Sequence, residues 1–152
     1  MNWLVDLATN PYMITSISSW FIAQVIKVII NLIIHKKLIW ERLIGDGGMP
    51  SGHSATVSSL AVITGLMCGF GSAQFALAGI LAVIVCHDAT GVRQQAGKHA
   101  EMLNEILEVL GNEDLPQEKL KVLLGHTPLQ VIAGITIGIA NALLMYLLVF
   151  GR

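Results

Sequence analysis

Charge is what this chain has least of. Only 12% of its 152 residues are charged, against about 25% in ordinary soluble domains. No charged residue stands between His53 and His87. With 54% hydrophobic residues and a mean hydropathy of +0.69, this scarcity argues against a water-soluble globule. It points to an all-α, polytopic membrane helix bundle. The net charge is −1, and no basic cluster is interleaved with aromatics, so nothing suggests a nucleic-acid partner. The two cysteines, Cys68 and Cys86, lie inside apolar runs and read as small core residues rather than a disulfide or metal pair. The N-terminus lacks a basic flank followed by a cleavable apolar stretch, so no signal peptide is expected. Without an internal repeat or low-complexity segment, residues 1–152 read as one integral-membrane domain.

What is present is long uncharged stretches divided by polar loops. Residues 1–12 suit a short interfacial helical turn, with Trp3 and Tyr12 at headgroup level. Met13–Ile34 is long enough to span a bilayer and contains one charge, Lys27. A lysine inside a span costs roughly 2.5–3.5 kcal/mol by insertion scales. Gln24, Lys27, Asn31 and His35 share one helical face, which is expected to look toward the other helices; the alternative is a lysine that snorkels to the basic end. Residues 54–86 would make a helix roughly 50 Å long, too much for a hydrocarbon core of about 30 Å. Gly69-Phe70-Gly71-Ser72 supplies the break, giving two short helices near 53–69 and 73–88.

After a polar cluster from His87 to His99, residues 99–110 carry an amphipathic helical pattern and 115–124 a second short one. The last span is 127–150, with Thr127 as N-cap, Pro128 at the first helical position, and a Gly134/Gly138 pair within it. Such small-residue faces also suit association into a homo-oligomer. Four spans put loop 35–53 and segment 87–126 on one side. Lys36, Lys37, Arg42, Arg93, Lys98, Lys119 and Lys121 fall there, which predicts a cytoplasmic location in the cell membrane.

The polar stretch Gly47-Gly48-Met49-Pro50-Ser51-Gly52-His53-Ser54-Ala55 leads into one helix, and Gly125-His126-Thr127-Pro128 leads into another. Helix starts offer unpaired N–H groups and the positive end of the helix dipole, which suit a phosphate. Lys27 and Arg93 are the cationic partners available on that side. One histidine can attack phosphorus while the other protonates the leaving oxygen. Both histidines are expected at helix starts rather than in a packed core. His53, His87, Asp88 and His126 also have the ligand types of a zinc or manganese site, a competing reading.

Pro50-Ser51-Gly52-His53 resembles the central motif of the type 2 phosphatidic acid phosphatase superfamily, related to vanadium haloperoxidases. Gly125-His126-Thr127-Pro128, with the later Gly134, resembles its last motif. Together with His87-Asp88-Ala89-Thr90-Gly91-Val92-Arg93, the sequence is similar over nearly its whole length to the small divergent membrane branch. The resemblance implies a lipid phosphate phosphatase acting on membrane lipids without a metal or other cofactor. His126 would be the nucleophile forming a phosphohistidine, and His53 the general acid. Ser51 and Gly52 would bind phosphate oxygens. The usual first motif ends in Arg-Pro, which this chain lacks. Leu120 replaces an arginine six residues before the last histidine. Gln130 replaces the aspartate that orients the nucleophile, and an amide hydrogen-bonds imidazole without stabilising its cation. Arg93 and Asp88 are the candidates to stand in for the missing charges. The alternative function is a catalytically weak membrane scaffold or transport component that keeps the anion site.

Overall fold

The computed structural model describes residues 2–36, 48–110 and 125–151. Its helices are α1 (Trp3–Ala8), α2 (Pro11–His35), α3 (Gly52–Cys68), α4 (Ala73–Thr90), α5 (Val92–Leu110) and α6 (Pro128–Met145). A π-helical turn, Tyr146–Phe150, continues α6. No strand occurs among the described residues. The expected helix at 115–124 lies outside them.

The helix boundaries have local causes. Asn10 caps α2, its Oδ1 accepting from the N–H groups of Tyr12 and Met13, and Pro11 occupies a position where no N–H is needed. Ser51 caps α3 by accepting from Ser54 N–H at 3.3 Å. Gly69, at φ +89°, ends α3 in a conformation that other residues adopt only with strain. Ser72 then starts α4 by accepting from Phe75 N–H at 3.1 Å. The uncharged run is thus two helices, as the glycine break predicts. One boundary differs from expectation: α5 begins at Val92, seven residues before the amphipathic pattern at His99. Arg93, Gln94, Gln95, Ala96 and Lys98 are good helix formers with no proline among them, so the helix extends back to Gly91 although these residues present no apolar stripe.

Three stretches are long and apolar enough to cross a membrane: Pro11–Ile34, Ala73–Glu108 and Pro128–Phe150. The expected fourth span, α3, is also apolar but shorter, 17 residues, or about 25 Å at 1.5 Å per residue. It is the element that touches α2, α4 and α6. Gly52 faces Trp20 and Gln24 near one end of α3, while Tyr12 Oη meets Cys68 Sγ at 3.0 Å near the other, so α2 and α3 are antiparallel. Ser51 pairs with Gln130, and Ala55 and Ser58 with Gly138, so α3 and α6 run parallel.

The interior is small and polar, and the outside is large and apolar. Thr15, Ser19, Ser54 and Ser59 are fully or almost fully buried. Leu77, Val83 and Leu147 are 74%, 65% and 68% exposed. In water such a surface would drive aggregation; in lipid, helices instead associate through close packing and internal hydrogen bonds. Asn141 shows how: its Nδ2 donates to Thr15 O at 3.2 Å, Ser18 Oγ at 2.9 Å and Ser19 Oγ at 2.8 Å, tying α6 to α2. The rest of the interface is contact without side chains. A Cβ on Gly134 would overlap the Ser51 carbonyl, and one on Gly138 would overlap the Ala55 carbonyl and Ser58 Oγ. The Gly134/Gly138 face is therefore occupied by α3 of the same chain.

Gly138→Leu should destabilise the bundle by about 1–3 kcal/mol or more, the usual range for overpacking. A lowered thermal midpoint of the detergent-purified protein would register this. Gly79→Leu is the control, because nothing lies within 4 Å of a Cβ there; equal midpoints for the two variants would refute the close approach.

Candidate functional site

The parallel starts of α3 and α6 are joined by one backbone bond, Ser51 N–H to the Gln130 carbonyl, 3.0 Å. A second, His126 N–H to the Ala89 carbonyl at 2.9 Å, fastens the loop before α6 to the last turn of α4. Three segments far apart in sequence therefore meet at one end of the bundle. Ser51 is fully buried there. Its Oγ accepts from Ser54 N–H and, at 2.9 Å, from Ser54 Oγ. Ala55 N–H bonds Ser51 O at 3.1 Å. Among the described residues, the N–H groups of Gly52 and His53 remain as donors without an internal acceptor at this helix start, as geometry requires of a first turn.

His53 and His126 come together, with ring centroids 6.5 Å apart and planes tilted by 54°. Their surroundings differ. His53 is exposed, whereas His126 is 3% exposed. The expectation that both histidines lie outside a packed core is therefore wrong for His126. Its backbone bond to Ala89 pulls the residue into the angle between α4 and α6, and the Gln130 side chain closes over it. Gln130 Oε1 accepts from Thr127 N–H at 3.1 Å and lies 3.2 Å from His126 Nδ1.

The cationic and acidic candidates occupy the same end. Lys27 is 4% exposed, so it faces the interior rather than snorkelling. Gln24, one turn earlier, lies against Gly52, which brings Lys27 about 4.5 Å further along the axis, level with the Gly48–Ser51 loop. Asp88 is half-buried and precedes Ala89, whose carbonyl holds His126. Arg93 is the second residue of α5, and its side chain lies outside what is described. No three of the described histidine, cysteine, aspartate or glutamate side chains are grouped to hold a metal ion.

Gln130, which stands where the resembling motif has an aspartate, is also the cap of α6. The signal was present: Thr127 followed three residues later by Gln130 is the capping-box pattern. The Ser51–Gln130 and His126–Ala89 bonds left no such trace.

These features define an α-helical integral-membrane protein with a histidine pair at one end of the bundle. The chain belongs to the Divergent PAP2 family, which matches residues 8–141. It is similar to the uncharacterized membrane protein YuiD of Bacillus subtilis (strain 168), 39% identical over 153 aligned positions that cover 93% of this chain and 97% of that protein. No solved structure matches.

The unequal exposure of the two rings can be read chemically. Diethylpyrocarbonate should acylate His53 readily and His126 several-fold more slowly, followed by peptide mass spectrometry in detergent. Faster modification of His126 would contradict its burial.

Proposed function

We propose that this protein hydrolyses a lipid phosphate, a monoester or diphosphate, through a phosphohistidine at the cytoplasmic face of the membrane. The observation that supports the reading best is the 6.5 Å between the His53 and His126 rings. A nucleophile waits about 3–3.5 Å from the reacting atom, and a general acid about 2.6–3.2 Å from the oxygen that it protonates. A phosphoryl group between the two rings meets both needs.

His126 Nε2 donates its lone pair to phosphorus, and the bond to the leaving oxygen breaks. Protonated His53 gives that oxygen its proton, so the product leaves as an alcohol, or as a phosphate when the substrate is a diphosphate. Neutral His53 then takes a proton from water, the water oxygen attacks phosphorus, and the P–N bond breaks to release orthophosphate. The Gly52 and His53 N–H groups, the α3 dipole, and the Lys27 and Arg93 cations stabilise the phosphoryl oxygens, while Ser51 holds the turn that aims those donors. Asp88 supplies a carboxylate at the same end. A lipid substrate would present its phosphate at this end of the bundle while its tail stays in the bilayer. The neutral Gln130 beside His126 favours a second reading, a catalytically weak scaffold or transport component that keeps the anion site.

His126→Ala should abolish phosphate release from every substrate, since no phosphoenzyme forms without the nucleophile. His53→Ala should cost about 10²–10⁴-fold on an alkyl phosphate and little on a nitrophenyl phosphate, whose phenolate departs without a proton. Equal losses on both would remove His53 from the acid role, and the absence of phosphate release from any lipid phosphate by the wild-type protein would favour the scaffold.

For orientation, Lys98→Cys in a protein with Cys68→Ala and Cys86→Ala places one thiol on the exposed surface of α5. It should resist a membrane-impermeant maleimide in intact cells and react after permeabilisation. Ready labelling of intact cells would put the site on the other face.

A further inference from the structure

Given the lipid phosphate reading above, we propose that the cleft between α3 and α4 receives the hydrocarbon tail of the substrate. The polar far end of the cleft limits the length of tail that fits. The cleft is open-sided and holds about 570 Å³, inside the range of about 300–1,000 Å³ typical of small-ligand sites. Leu60, Thr64 and Cys68 line it from α3, and Leu77, Ala78 and Leu81 from α4. The Thr64 hydroxyl donates to the Leu60 carbonyl at 2.7 Å, so the middle of the cleft is apolar.

Helical register aims this cleft at the histidine pair. At 3.6 residues per turn, Leu60 and Thr64 fall within about 20° of His53 around α3, and Cys68 within about 60°. By the same spacing, Leu77 and Leu81 fall within about 20° of Asp88 around α4. Each wall therefore carries a residue of the candidate site at its other end. The walls are also in step along their axes: Leu60 lies about 10 Å from His53, and Leu81 about 10 Å from Asp88. On the faces between, Thr56, Val57 and Val85 are half-exposed, which leaves the path partly open. A lipid with its phosphate at the helix starts thus has an apolar track leading away from it.

A tail that moves from bilayer to cleft leaves one apolar medium for another, so the cleft supplies contact and direction rather than a hydrophobic gain. At the far end the track meets polar groups. Tyr12 Oη and Cys68 Sγ lie 3.0 Å apart, and Gln74 stands beside them. Cys68 is about 22 Å along α3 from His53, past the middle of a hydrocarbon core about 30 Å thick. A short tail leaves this end empty, and a longer one must turn out through the open side.

Photolabelling in lipid nanodiscs tests the track without requiring turnover. The probe is a non-hydrolysable octadecylphosphonate with a diazirine at the far end of its chain, read by peptide mass spectrometry. It should label residues 60–68 and 74–81, and excess unlabelled octadecylphosphonate should suppress that labelling. Octadecanol with the same diazirine should spread over the lipid-facing surface, including Leu147. Equal labelling of the cleft by the alcohol would overturn the proposal. So would an unlabelled cleft, which is the result expected if a second copy of the chain covers it.

Ala78, 7% exposed on the cleft wall, supplies the kinetic arm. Ala78→Phe should lower kcat/KM for octadecyl phosphate about tenfold, the low end for misfit in an apolar pocket, and leave butyl phosphate unchanged. If that variant does not fold, Leu81→Trp at the 45%-exposed rim serves instead. Equal losses on the two substrates, or none on the long one, would overturn the tail track. Absence of phosphate release from any substrate would end the phosphatase reading, while phosphonate-dependent labelling of the cleft would still stand.

Discussion

The close approach of α3 and α6 is the constraint on which the rest depends. Glycine at 134 and 138 lets the backbone of α6 meet the Ser51 and Ala55 carbonyls directly, and only at that separation can Ser51 N–H reach the Gln130 carbonyl. With no hydrophobic driving force between helices in lipid, dispersion contact of this kind is a principal source of association. A side chain at either glycine would wedge the two helix starts apart, and the distance between His53 and His126 would widen with them.

Gln130 links this packing to chemistry. Its carbonyl fastens the polar loop before α3, and its side chain caps α6 and orients the His126 ring. Helix capping is ordinarily a matter of stability, worth about 0.5–2 kcal/mol. Here the atom that satisfies the cap also lies 3.2 Å from His126 Nδ1.

The bilayer explains the division of the molecule along its length. Most buried serine, threonine and asparagine groups among the described residues satisfy one another or the preceding turn of their own helix, as a medium without water demands; the buried Thr15 hydroxyl is an exception. Lys27 is the one charged residue of α2, and it is buried near the end where the loop and helix starts are rather than exposed to lipid. Its cost of insertion is consistent with a site that holds an anion.

Much of this could be read without coordinates, because it is local. Scarcity of charge gives the membrane; run length and Gly69 give the break between α3 and α4; Asn10, Ser51 and Thr127 with their prolines and hydroxyls give the helix starts. The motifs around His53 and His126 gave the family. The start of α5 was misplaced because an apolar stripe marks a packed face, whereas backbone propensity alone carried the helix back to Gly91. The burial of His126, the use of the Gly134/Gly138 face within the chain, and the bond from Ser51 N–H to the Gln130 backbone carbonyl were decided only by tertiary structure. Each depends on a partner far away in sequence, Ala89 for His126 and Ser51 for Gln130, and a backbone carbonyl that becomes a neighbour only on folding has no signature in residue type.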